Sequence, residues 1–115
     1  MTDDEVFAAI QTHCMAKEGA VEDYPWEDHV GWKIGGKLFA IGGAGSNRLT
    51  LKSTLDKQSA LIQHPAIEKA AYVGRFGWVT ITVTDRETMD LAEDLIDESY
   101  EAVRGKGRKK LRVEG

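Results

Sequence analysis

The sequence predicts an α+β domain: an antiparallel sheet with helices packed on one face and two hairpin wings. Three observations carry that expectation. Apolar residues recur at helical spacing near both ends of the chain, they alternate with polar residues at strand spacing between, and glycines sit where the alternating runs reverse. Helices at the ends with strands grouped between them make an α+β order rather than a βαβ repeat.

Each element follows from local signals. Thr2 and Glu5 have capping-box spacing, and Val6, Ile10 and Cys14 recur behind them, which predicts a helix over 3–17 stopped by Gly19. Pro25 pushes Tyr24 out of helical dihedrals, so 21–26 is extended. Over 29–34, Val30, Trp32 and Ile34 alternate with His29, Gly31 and Lys33, and Gly35-Gly36 turns the chain into a second strand over 37–41. The glycine-rich stretch 42–47 reads as a loop into a strand over 48–52, with Leu49 and Leu51 opposite Arg48, Thr50 and Lys52. Ser53 opens a short helix through Gln63, ended by Pro65. Residues 69–73 and 77–83 form the second hairpin around Gly74-Arg75-Phe76, and a Thr84 and Glu87 capping box opens a helix over 85–104 that Gly105 ends. Residues 1–104 are thus one domain, and the basic stretch 105–115 is expected to be a mobile tail.

The charges segregate along the chain. Residues 1–28 hold eight acidic residues and one basic, and residues 85–103 hold eight and one, so each carries −7. Residues 29–84 hold seven basic and two acidic, and residues 104–115 six and one, so each carries +5. The long helices are therefore acidic and the sheet is basic. If the helices cover one sheet face, Lys33, Arg48 and Lys52 lie on the other with Trp78, Thr80 and Thr82, a surface on which bases stack and phosphates pair. The alternative is that Trp78 belongs to the core and the cations are solvated guards of an exposed sheet. In the tail, Lys106, Arg108, Lys109 and Lys110 suit a phosphate backbone and equally suit a solubilising end.

Other chemistry finds little footing. The single Cys14 excludes an internal disulfide, and His13 beside it on a helix diverges by roughly 100° per residue, so the two do not form a nucleophile and base pair. No Gly-x-Ser-x-Gly or His-Glu-x-x-His motif occurs, and the 42–45 glycines lack the Lys-Ser/Thr of a phosphate loop. Acidic residues along the last helix offer oxygen ligands without a loop to converge them, so a solvated face or a weak cation site is expected there. The amino terminus is acidic where a signal peptide is basic, and no apolar run approaches the ~20 residues of a membrane span. The expectation is a cytoplasmic, monomeric, non-enzymatic protein without cofactor, metal or membrane partner.

The run from Val21 to Ala40, with Tyr24-Pro25-Trp26 and Gly35-Gly36-Lys37-Leu38-Phe39-Ala40, resembles the signature of the MmcQ/YjbR-like family, and 71–79, with Gly77-Trp78-Val79, resembles its second block. The resemblance spans most of residues 5–103. It implies a fold similar to the frataxin-like CyaY class and DNA binding through a double wing, at positions matching Gly35, Gly36 and Lys37 in one wing and Gly74 and Arg75 in the other. The chain departs from some members in lacking Leu-Pro before Gly19 and in having Gly74-Arg75-Phe76-Gly77 where they carry a more basic turn. The resemblance supplies no catalytic residues. The fold analogy also raises iron binding by the acidic helices. A protein-interaction or small-ligand module is the alternative to DNA binding.

Overall fold

At the amino terminus the Thr2 hydroxyl accepts the Glu5 N–H at 3.1 Å and the Glu5 carboxylate accepts the Thr2 N–H at 2.8 Å. This reciprocal cap opens α1 (Asp3–Met15), which buries Val6, Ile10 and Cys14. The computed structural model describes residues 1–25 and 27–105 with their side chains, and residues 26 and 106–114 only as parts of the strand and helix containing them. After α1 come β1 (Val21–Trp26), β2 (His29–Ile34), β3 (Lys37–Gly43), β4 (Arg48–Leu51), α2 (Leu55–Leu61), β5 (Ile67–Lys69), β6 (Val79–Thr82) and α3 (Arg86–Glu114). The strands form one antiparallel sheet in the order β1-β2-β3-β4-β6-β5.

One face of this sheet is apolar and covered. Trp32, Phe39, Leu49, Leu51, Val79 and Ile81 are buried beneath α1 and α3, which contributes Met89, Ala92, Leu95, Ile96, Tyr100 and Val103. The expected stripe of Leu91, Ala92, Leu95, Ser99 and Val103 is widened by Met89, Ile96 and Tyr100, and Leu91 itself is only partly buried. α2 lies beside α3, with Lys57 3.4 Å from Glu98. Gly35 and Gly36 have φ of 60° and 80°, the left-handed pair that a two-residue hairpin turn requires. Just beyond it, Lys33 pairs with Leu38 and Trp32 with Ala40, which leaves Phe39 as a bulge. Both Phe39 and Ala40 are thereby fully buried, and the Phe39 carbonyl accepts the Ser99 hydroxyl at 2.5 Å.

Several boundaries differ from the sequence expectation. α1 ends at Met15 rather than 17, and the extended 21–26 segment is a paired edge strand. Gly42 and Gly43 belong to β3, because a glycine at 42 lets the Trp32 indole lie against the strand; a Cβ there would stand 3.3 Å from the ring. Thr54, not Ser53, caps α2 by accepting the Lys57 N–H. Asp85 and Thr88, not Thr84 and Glu87, form the reciprocal cap of α3: the Asp85 carboxylate accepts the Thr88 N–H at 2.9 Å and the Thr88 hydroxyl accepts the Asp85 N–H at 3.0 Å. α3 also continues through Gly105, which does not adopt the left-handed conformation of a helix-ending glycine.

The second hairpin is present with different bounds: β5 and β6 pair antiparallel, Ile67 with Ile81 and Lys69 with Val79. Its first strand ends at Lys69 rather than 73, and the connection to β6 contains a 3₁₀ turn, Val73–Phe76. This connection is tied down. The buried Gln58 amide donates to the Gly74 carbonyl at 2.7 Å and to the Trp78 carbonyl at 2.9 Å. Gly77, at φ 99°, passes so close to α2 that a Cβ would sit 2.6 Å from the Thr54 carbonyl carbon.

Candidate nucleic-acid interface on the open sheet face

The strand register assigns the face away from the helices. His29, Gly31 and Lys33 of β2 share it with Ile41 of β3, Arg48 and Thr50 of β4, Thr80 and Thr82 of β6 and Glu68 of β5. Lys52 and Trp78 continue the same alternation past the strand ends. Arg48 pairs across the ladder with Thr82, and Thr50 with Thr80, whose hydroxyls lie 2.8 Å apart.

The expected cations reach this face in differing environments. The Lys33 ammonium is 2.7 Å from the Asp23 carboxylate, and together with the Tyr24 N–H it holds that carboxyl below the ordinary Asp range. Arg48 is exposed and its guanidinium is 2.6 Å from Glu68. Lys52 stands 5.8 Å from the centre of the Trp78 ring. Trp78 is half-buried, so it is neither a core residue nor a bare platform. Lys37 is the exception: its partner is Ile34, which places it on the helix-side parity at the tip of the first wing beside Gly35 and Gly36. Arg75 projects from the 3₁₀ turn with its guanidinium 4.9 Å from the Phe76 ring centre, next to Gly74. Lys106, Arg108, Lys109 and Lys110 lie outside the described side chains, as does the question of a mobile tail.

The face is concave. A hollow of about 890 Å³ is lined by Ile41, Gly43, Arg48, Thr50, Thr80 and the 71–73 segment, with His29, Ser46, Glu68 and Lys69 at its margins. Toward β1, Pro25 and Leu38 crowd Gly31, standing 3.5 and 2.6 Å from where a Cβ there would sit. Tyr72 forms the opposite rim with 95% of its surface exposed. Its backbone has φ 64° and ψ −55°, and the Val73 N–H donates to the Ala71 carbonyl at 2.6 Å, a strained γ-turn rare for any residue but glycine. Sequence reasoning missed Tyr72, since nothing in residues 71–76 signals a positive φ at a tyrosine.

The helix face has the opposite character. Asp97 sits between His13 at 2.8 Å and Lys17 at 2.5 Å; partial burial pushes its carboxyl up, and the two neighbours outweigh that to hold it below the ordinary range. Asp94, Glu98 and Glu101 extend the acidic surface along α3. Among the described residues no group of three or more His, Cys, Asp or Glu is placed to hold a metal ion, and no helix is long and apolar enough to cross a membrane.

A family model, YjbR, matches residues 15–102. The fold resembles the crystal structure of the Deinococcus radiodurans protein DR2400, which has family domain DUF419, with a TM-score of 0.77, 24% identity, and 92% of this chain and 83% of that one covered. It also resembles the crystal structure of a Pseudomonas syringae protein, with a TM-score of 0.62, 18% identity, and coverage of 80% and 93%. No curated protein matches the sequence.

Proposed function

The chain belongs to the YjbR family, and from that premise and its open sheet face we propose that it is a DNA-binding module. The observation that supports this reading is the separation of charge across the sheet. Arg48, Lys52 and Lys33 stand on the uncovered face, while the acidic residues of α3 stand behind the layer of helices. Phosphates approaching the open face meet cations first, and the acidic helices point away from them. Arg48 and Lys33 already hold carboxylates, so on binding each exchanges or shares a carboxylate for a phosphate oxygen. Lys37 and Arg75 flank the face from the two connections, and the basic residues after Gly105 supply further charge. In this reading the protein is a binder rather than an enzyme.

The test is a titration of the full chain with labelled DNA at several salt concentrations. Affinity is expected to fall with salt at a log–log slope of about −0.7 to −0.9 for each phosphate neutralised. Arg48→Ala or Lys52→Ala is each expected to reduce the slope by about one. Absence of binding to any DNA at 50 mM salt, which is about the low end of the usual range for such titrations, would overturn the proposal.

A further inference from the structure

Tyr72 combines two properties that folding alone does not account for. Its side chain is almost wholly in solvent, so it adds nothing to the core, and its backbone holds a positive φ that glycine would adopt without strain. The surrounding connection does not let this strain relax. Gln58 clamps the Gly74 and Trp78 carbonyls from one side, and the Ala70 N–H donates to the Trp78 carbonyl at 3.2 Å, closing the base of the loop. An aromatic ring is therefore presented on a rigid rim above a hollow.

The hollow has the character of a base-binding surface. Its lining is mostly apolar, with Ile41, Gly43, Ala71 and Val73 among its residues. Its polar groups include the Arg48 and Glu68 pair, a donor and an acceptor 2.6 Å apart, and the paired threonine hydroxyls. Arg48 in the lining, Lys69 at the margin and Lys52 farther along supply positive charge for a polyanion. A duplex keeps its bases stacked inside a convex backbone and cannot lower one into a walled hollow. An unpaired nucleotide can turn its base outward, stack it on an aromatic ring and leave its phosphates at the rim.

We propose that this hollow seats an unpaired base of single-stranded DNA, stacked on Tyr72, with Arg48 and Glu68 facing the base edge. The assignment rests on the DNA-binding reading above and adds to it a preference for single strands and a residue that produces it.

The experiment titrates the full chain with a labelled single-stranded oligonucleotide and with the same sequence as a duplex, at one low salt concentration. Wild type, Tyr72→Ala, Tyr72→Phe and Tyr72→Gly are compared, each with its thermal unfolding curve. The expected result is tighter binding of the single strand than of the duplex. Tyr72→Ala should weaken single-strand binding by about fivefold to a hundredfold, the range for losing one stacked base, with the duplex affinity nearly unchanged. Tyr72→Phe should retain the preference. Tyr72→Gly should lose it while raising the unfolding temperature, an opposition that a purely structural role would not produce. Equal binding of the two forms, unaffected by Tyr72→Ala, would overturn this inference and leave the DNA-binding reading in place. Binding of neither form would overturn both.

Discussion

The indole N–H of Trp32 donates to the carboxylate of its cross-strand partner Glu22 at 3.0 Å. The same carboxylate accepts the Gln11 amide at 2.9 Å and the Tyr24 hydroxyl at 2.5 Å. A fully buried tryptophan thus has its one polar atom satisfied, and α1 is tied to the edge of the sheet through the same group. The residues that carry the family resemblance between 21 and 40 therefore include a structural device: Glu22, Tyr24 and Trp32 form one hydrogen-bonded unit.

Removing that acceptor should be costly. Glu22→Ala leaves a buried N–H without a partner and is expected to lower stability by about 1–3 kcal/mol, whereas Glu22→Gln keeps an acceptor oxygen and should lose less. Urea unfolding of the two variants checks this, and equal midpoints would show that the indole finds another partner.

The same carboxylate makes stability depend on acid. The Tyr24 hydroxyl, followed by Gln11 and Trp32, outweighs partial burial and holds the Glu22 carboxyl below its ordinary value. A carboxyl with a lowered native pKa binds protons more readily when unfolded, so its contribution is complete above the ordinary Glu value and disappears as pH falls through the native one. Wild type should lose stability in that acid range more steeply than Glu22→Gln, as followed by unfolding midpoints at successive pH values.

Gly77 and Gly36 separate two kinds of glycine requirement. Both have positive φ, but a Cβ at 36 meets open space and one at 77 meets backbone. Gly36→Ala is expected to cost about 1–2 kcal/mol for the left-handed conformation alone. Gly77→Ala should exceed that, because Thr54 and Leu55 must also move. Comparable losses would mean that the 3₁₀ turn shifts freely.

On α3, Leu95 is buried and Asp94 beside it is exposed. Leu95→Ala is expected to destabilise by about 2–5 kcal/mol and Asp94→Ala by little. Denaturation midpoints read the difference directly.

Burial pushes the Cys14 thiol up to about 12, and the residue is inaccessible between α1 and the sheet. Native protein at mildly alkaline pH should leave this thiol unmodified by an aromatic disulfide reagent, and one thiol should appear on unfolding. Rapid reaction of the folded chain would contradict the packing of α1.

Much of the open sheet face could be read from the chain before its structure. Arg48, Thr50 and Lys52 alternate against Leu49 and Leu51, and two-residue periodicity alone places them together. Trp78, Thr80 and Thr82 follow by the same rule, and adjacency of β4 to β6 brings the two rows side by side. The rule fails at the Phe39 bulge and at Lys37, where one extra residue or a turn changes the parity. It says nothing of salt-bridge partners, so Asp23 beneath Lys33 and Glu68 beside Arg48 were not anticipated.

By itself the sequence determined the α+β class, the α1 cap, the Gly35-Gly36 turn and the division between an acidic helical layer and a basic sheet. Each of these depends on neighbours within one or two turns of chain. The tertiary structure alone decided that the second hairpin is joined by a long clamped connection over 70–78, and that Tyr72 stands strained at the rim of a hollow. Those outcomes depend on Gln58 reaching the Gly74 and Trp78 carbonyls and on Gly77 passing against Thr54. Such contacts join segments distant in the chain, and tertiary packing overrides local preference wherever it supplies more free energy than the local conformation costs.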